Sequence, residues 1–449
     1  MFLLSKKIVV VILLFAAVST AALANEILPP EPCKTIEEET SLALIEVVEL
    51  ALCGNPQTRE VWANARYQEA QLAIAQGAYL PTLNADASVS RSGSDRLGAI
   101  SPVDTKNVSV SLSYLIYDFG ARGASLESSR QLLTAAIATQ DSTVQTVFLA
   151  AVQAFYQTQA AEATLASAKE AERSSLESLK AATLRSTLGS GAPLDKLQAQ
   201  TAASQATYTR IQAQGSLRSA QGNLANVLGW DANRPVKLLA SSTITLPANF
   251  EQDVDALIAS ARKRRPDLLA VQAQLHAAQA NVETARAADF PTITFGASAS
   301  NSRSDMLVAA NSYGLSLNLN IPLYSGGVAT NRIRAARAQV DSKLAQGERL
   351  QHQVALDVWN AYQNLQTASQ SLRSSADLVN SAEQSERVAS ARYKAGMGSL
   401  LDVLVAQSAL AAARQQRVQA SYNWNIYRAT LAQAMGSLDA GLLSEKSQP

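Results

Sequence analysis

Few residues in this 449-residue chain could make or break bonds. Its two histidines, His276 and His352, both fall inside long stretches of helical periodicity. There a histidine is a packing or surface residue far more often than a base or a ligand. No Ser-His-Asp order, H-E-x-x-H or cysteine cluster accompanies them. Gly189-Ser190-Gly191 lacks the rest of a phosphate loop. These residues predict no catalysis, no cofactor and no metal. The charged residues that do stand out are two aspartates, Asp195 and Asp402, because their surroundings match. An acid in the first turn of a helix stabilises the positive end of the helix dipole, so capping is their simplest role.

The match extends well beyond the aspartates. The stretch RSTLGSGAPLDKLQAQ, from Arg185, lines up with the stretch from Arg392 to Gln407. Gly189 pairs with Gly396, Gly191 with Gly398, Leu194 with Leu401, Asp195 with Asp402 and Gln200 with Gln407, each 207 residues apart. Each turn joins two long helical patterns. Two helical hairpins with the same turn, half a chain apart, mean an internal duplication.

The elements around the turns repeat as well. Residues 41–80 read as two helices broken at Gly54-Asn55-Pro56, and Pro81 ends the second. From Pro81 the period becomes two. Leu83, Ala85, Ala87 and Val89 alternate with Asn84, Asp86 and Ser88; Val108, Val110, Leu112, Tyr114 and Ile116 alternate with Asn107, Ser109, Ser111 and Ser113. These are two strands of about ten residues, joined by a polar loop over 91–106. A long helix from Ala121 to Ser186 follows, roughly 100 Å at ~1.5 Å per residue. After the turn a helix runs from Pro193 to Leu228 and stops at Gly229. The second half repeats this order, with Pro266 and Pro291 standing for Pro56 and Pro81. Its strands alternate through Ile293, Phe295, Ala297 and Ala299, then Leu315, Leu317, Leu319 and Ile321, with a polar loop over 301–312. Its long helix spans Val328 to Lys394, and Val354, Val358, Ala361, Leu365, Ala368, Leu372, Ala376, Val379 and Ala382 recur there at the coiled-coil period. A last helix runs to Met435, with Gly436 matching Gly229.

The chain therefore divides into a signal peptide (1–24), a first repeat (25–229, with β-hairpin 81–119 and turn 186–195), a linker (230–250), a second repeat (251–436, with β-hairpin 291–325 and turn 395–402) and a tail (437–449). The signal is read from Lys6 and Lys7, the short apolar run Ile8 to Val18, and Ala22-Leu23-Ala24 before Asn25. Cys33 follows Pro-Glu-Pro, not a lipoprotein-type sequence. Cys33 and Cys53 are the only cysteines, and in an oxidising compartment they are expected to pair. A net charge of +1 gives no electrostatic sign of a nucleic-acid partner. The basic run Arg262-Lys263-Arg264-Arg265 reads as a solvated helix end before Pro266.

No apolar run after the signal is long enough to span a membrane as a helix. Four strands, apolar on one face and Ser, Thr and Asn on the other, carry the pattern of a barrel that meets lipid outside and water inside. Four strands cannot close by themselves, since the smallest barrels need about eight. Open edges in lipid leave backbone groups unpaired at several kcal/mol each, so copies from other chains must complete the barrel. Tyr79, Tyr114, Tyr117, Phe119, Phe290 and Tyr324 lie near the strand ends, where an aromatic girdle sits. A soluble periplasmic adaptor with a long hairpin is the rival reading, but it has no need of four lipid-patterned strands.

The chain resembles the TolC family of outer-membrane channels from about Ser41 to Gly436. The resemblance rests on the duplicated element order, the ALCGNP and RRP helix starts, the AYLP and ADFP breaks, the IYDFG and LYSGG strand ends and the paired turns. It implies an α+β membrane protein: a homotrimer whose twelve strands form an outer-membrane β-barrel in lipid and whose long hairpins form a periplasmic α-barrel. It implies that the paired turns are the periplasmic tip, where a periplasmic adaptor and an inner-membrane ABC or proton-driven pump dock. By position, Asp195, Asp402 and Tyr393, with Gly189, Gly396 and Gly398 shaping the turns, are the implied gate. Gly398 and Val405 depart from the best-described gate, which has an arginine and a second acid there, so a single acidic ring and a less tightly bolted tip are expected. The stretch LALCGNPQTREVW is similar to CyaE-type members, which implies type I secretion; the alternative is multidrug efflux.

Overall fold

Proline and glycine set the element boundaries. The computed structural model describes residues 41–94, 101–239, 253–305 and 308–438. In order they form α1 (Leu44–Gly54), α2 (Pro56–Gly77), β1 (Thr82–Ser94), β2 (Ser101–Tyr117), α3 (Ala121–Thr187) and α4 (Pro193–Val227). The second half gives α5 (Val254–Arg264), α6 (Pro266–Ala287), β3 (Thr292–Ser304), β4 (Ala310–Asn320), α7 (Val328–Lys394) and α8 (Leu400–Ala434). Pro56, Pro193 and Pro266 each open a helix, where a missing N–H leaves no intrahelical bond unmade. Pro81 and Pro291 stand just before β1 and β3. The signal peptide, Cys33, the centre of the 230–250 linker and most of the tail lie outside the described residues.

The described chain forms two compact units, and α3 and α7, 67 residues each, contribute to both. The first unit draws on residues 63–137 and 270–348 and holds a four-stranded antiparallel sheet in the order β1-β2-β3-β4. Directly opposed residues share a face, so the register tests the two-faced pattern. Leu83, Leu112, Ala297 and Leu315 form one cross-strand row; Asn84, Ser111, Ser298 and Gly314 form the next. Each row keeps its character across both hairpins. The hairpins meet directly, β2 against β3, and β1 and β4 are left as the edges.

Two strand readings change. β1 and β2 are 13 and 17 residues long, because pairing continues into the stretch expected as loop. Arg91 and Asp104 face each other there with an ion pair at 3.5 Å, and Pro102 sits opposite Gly93 near the strand start, where a missing N–H is tolerated. Likewise β3 and β4 reach Ser304 and back to Ala310, with the Asn301 amide donating to Asn311 Oδ1 at 2.7 Å. A β-bulge between Leu115 and Tyr117 also breaks the alternation at Ile116, so Tyr117 is the residue opposite Ile293.

Just past β2 the aromatic cluster is built on strained backbone. Phe119 adopts φ 51°, which a side chain rarely takes. Asp118 supports it by accepting from the Gly120 and Arg122 backbone N–H groups and pairing with the Arg122 guanidinium at 3.0 Å. The turn places the Phe119 ring between Tyr117 and Phe290, with centroids 4.7 and 5.6 Å away.

The second unit draws on residues 41–62, 138–269 and 349–438 and is helical. Val354, Val358, Ala361, Leu365, Ala368, Leu372 and Ala382 are all buried, and the first six lie in one core with Trp424 and Leu431 of α8. A second core gathers Val47 and Val48 of α1, Val152 and Phe155 of α3, and Leu224 and Leu228 at the end of α4. Small residues let these helices approach closely. The Asn55 side chain works at two helix ends: Oδ1 accepts from the Gln57 backbone N–H at 2.9 Å, and Nδ2 donates to Val227 O at 3.0 Å. The chain break at Gly54-Asn55-Pro56 thus docks on the end of α4.

The matching break at Arg265-Pro266 docks on the end of α8, where a Cβ on Gly436 would come 3.0 Å from the Arg265 Cα. This corrects the reading of the basic run. Arg262, Lys263 and Arg264 are exposed, but Arg265 is buried and pairs with Asp267 at 2.6 Å and Asp357 at 3.0 Å. Burial by itself would depress its guanidinium; the two carboxylates outweigh it and hold the pKa above the ordinary value. His276 and His352 are both exposed on their helices.

Candidate functional site

The two turns are near-identical structures. Gly189 and Gly396 take φ 72° and 74°, the left-handed conformation that ends a helix. Around Gly189, Ser190 N donates to Arg185 O at 3.0 Å and Gly189 N to Ser186 O at 3.2 Å. Around Gly396, Met397 N donates to Arg392 O at 2.9 Å and Gly396 N to Tyr393 O at 3.0 Å. Both are Schellman motifs, which satisfy carbonyls the helix end would leave unpaired. Gly191 and Gly398 serve close approach instead. A Cβ on them would lie 2.9 Å from Arg185 Cβ and 3.1 Å from Arg392 Cβ.

The aspartates differ where their sequences match. Ser399 Oγ accepts from the Asp402 backbone N–H at 3.1 Å, and Asp402 Oδ2 accepts from the Ser399 N–H at 3.2 Å. That is a capping box at the start of α8. Asp195 sits at the same place in α4, but its cap residue is Ala192, which offers no side-chain bond. The Asp402 carboxylate is therefore engaged in capping, and the Asp195 carboxylate is not.

Between the turns lies a small core of Ala182, Ala199, Tyr393, Leu400 and Val403, with Leu179 and Ala389 against it. The sequence marked Tyr393 but not its partner. The Arg185 guanidinium lies 4.4 Å from the Tyr393 ring centroid, and its Nη2 donates to Tyr393 O at 2.9 Å and Lys394 O at 3.4 Å. One arginine thus covers the ring and caps the end of α7. Further along, Gln407 Nε2 donates to Ser174 Oγ at 2.8 Å and Ser178 Oγ at 3.1 Å. Arg185 and Gln407 were visible as matched positions. Their roles were not, because a bond to a backbone carbonyl or a serine has no signature in sequence. The structure therefore brings Tyr393 into contact with the first turn and leaves Asp195 and Asp402 on the surface of their own helix starts.

Cys53 lies half-buried in the last turn of α1, while Cys33 is outside the described residues. We propose that the two are joined. The expected result is no titratable thiol in the denatured mature protein until reductant is added; two free thiols at the outset would rule the bond out.

The outer membrane efflux protein family model matches residues 47–230 and 257–437. The second matched stretch starts 210 residues after the first and ends 207 after it, the same spacings that relate the two halves of this chain. The chain is 30% identical over 395 residues to "Protein CyaE" of Bordetella pertussis, covering 87% of this chain and 82% of that protein. It is 27% identical over 390 residues to the outer membrane efflux protein BepC of Brucella suis, covering 85% and 82%. Among solved structures, a membrane protein from Pseudomonas aeruginosa superposes with TM-score 0.79 at 24% identity, covering 88% of this chain and 93% of that one. That likeness establishes the fold.

Proposed function

The chain belongs to the outer membrane efflux protein family, and from that membership we propose that it is the exit duct of a type I protein-secretion system. As a member it is an outer-membrane channel that extends into the periplasm. In this reading three copies close one barrel, and a periplasmic adaptor and an inner-membrane pump engage the paired turns. The duct does no chemistry. Its contribution is a continuous polar surface, such as the row Asn84, Ser111 and Ser298, along which cargo moves without leaving water.

What supports secretion over drug efflux is the likeness to CyaE, at 30% identity over 395 residues. The efflux reading draws on BepC and on the toluene efflux pump outer membrane protein TtgC of Pseudomonas putida, 26% identical over 407 residues. Deleting the gene separates them. Loss of one large protein from the culture medium, with drug and detergent susceptibility unchanged, is the expected result. Broad hypersensitivity with an unchanged medium would assign the duct to efflux.

Asp195, Asp402 and Tyr393 are proposed as the gate. Asp402→Asn is expected to lower both the cation selectivity and the conductance of single channels in a planar bilayer. Ser399→Ala breaks the same capping box, at about 1 kcal/mol, but keeps the charge. It is expected to leave selectivity alone. Equal effects from both variants, or none from Asp402→Asn, would remove Asp402 from the constriction.

A further inference from the structure

The apolar face of the sheet changes character towards the tips of its hairpins. Nearer the helices Tyr114 stands opposite Phe295, and the rows beyond are apolar, such as Ala85, Val110, Ala299 and Tyr313. In the next row the members from β3 and β4 are amides, Asn301 and Asn311. The row after that sets Lys106 directly opposite Arg303. Both are exposed, and neither has a hydrogen bond or an ion pair among the described residues. Like charges that face each other across a ladder repel. The described acids of this face lie further out and do not relieve the pair. Asp104 is engaged by Arg91 at 3.5 Å, and Asp305 follows the end of β3. Two unneutralised cations thus stand at the line where the hairpins meet, Lys106 on β2 and Arg303 on β3.

We propose that Lys106 and Arg303 bind a phosphate group of an anionic lipid headgroup in the outer leaflet of the membrane. This rests on the apolar face of the sheet meeting lipid, and not on what the duct carries. The height fits. Lys106 and Arg303 lie eight residues along their strands from Tyr114 and Phe295. At ~3.3 Å per residue and a strand tilt of about 40°, that is roughly 20 Å of height, close to the ~25 Å apolar band of an outer-membrane barrel. The aromatic pair marks the boundary nearer the helices, so the basic pair lies at the opposite boundary, level with the outer headgroups. The chemistry fits as well. The arginine's planar fork takes two phosphate oxygens, and the lysine adds a point charge beside it. One phosphate between them replaces repulsion across β2 and β3 with attraction from both sides. The lipid then fastens the first hairpin to the second at the end where no chain connects them.

The test is lipid binding by the full-length protein, purified in a nonionic detergent and followed by thermophoresis. The probes are micelles doped with a bis-phosphorylated glucosamine glycolipid and micelles doped with the same glycolipid after its phosphates are removed. The wild type is expected to bind the phosphorylated lipid more tightly, a comparison that needs no variant to fold. Each cation beside a charged headgroup is worth about fivefold in affinity. Lys106→Gln combined with Arg303→Gln is therefore expected to weaken the phosphorylated lipid about 25-fold and to leave the dephosphorylated lipid unchanged. Lys106→Arg is expected to keep the wild-type preference. Equal binding of the two lipids by the wild type, or a double variant that still prefers the phosphorylated one as strongly, overturns the site. Displacement of the lipid by an equal concentration of inorganic phosphate would make this a site for free anions and overturn the lipid assignment. The duct itself fails or stands on the gene deletion, which none of these measurements touches.

Discussion

Gly229→Ala is expected to loosen the helical unit by about 2–5 kcal/mol, adding the cost of a left-handed side chain to that of overpacking. Gly229 holds φ 75° at the end of α4, and a Cβ there would run into the Gly54 carbonyl oxygen and lie 2.8 Å from its carbon. Both obstacles are backbone, so no side chain can swing aside. Relief requires the α1–α2 junction to lift off α4. That motion breaks the bond from Asn55 Nδ2 to Val227 O. Gly396→Ala is the internal control. Its φ is 74°, but nothing lies within 4 Å of the added carbon. It is expected to show only the backbone component, about 1–2 kcal/mol. The measurement is the denaturant midpoint of the helical circular-dichroism signal in detergent. Equal shifts for the two variants would mean that the Gly54 contact carries no weight.

Phe155→Ala is expected to cost about 3–5 kcal/mol, the usual range for an emptied aromatic site. Phe155 is 2% exposed and lies in the core that gathers α1, α3, the end of α4 and Ala429 and Ala432 of α8. Its ring stands edge-on to Tyr156, with centroids 5.3 Å apart and planes at 83°. The neighbours cannot collapse easily into the space, because α3 passes straight through the core as a continuous helix. Phe155→Leu keeps most of the volume and is expected to cost about 1 kcal/mol. A cost below that for alanine, in the same denaturation experiment, would place the weight of this core elsewhere.

Periodicity made the large features legible. The alternation of Leu83 and Leu315 with Asn84 and Ser316 is a property of single strands, and the observed rows keep it. Val354 to Leu372 announced a buried seam because a helix that repeats every 3.5 residues presents one stripe. What escaped were features that depend on a neighbour. Ile116 fits the alternation, yet the bulge that displaces it exists only opposite β3. Arg265 ends a run of four basic residues and is buried because Asp357, far along the chain, stands beside it. At the turns, the matched glycines were readable as conformational necessities. The inequality of Asp195 and Asp402 was set by Ala192 and Ser399, cap residues whose difference lay in plain view.

The open edges of the sheet bear on how the protein must be made. β1 and β4 expose their side chains along the described edges, and among the described residues they have no partner strand outside the hairpins. A lone chain cannot enter lipid in that state, since every unpaired edge group would go in dry. In water the same edges are templates for unwanted pairing. With the barrel closed by three copies, as proposed above, assembly and insertion are one event, in which copies meet before any of them commits to the bilayer. The supply of finished ducts is then governed by encounter between unfinished ones, and it responds to concentration more steeply than in simple proportion.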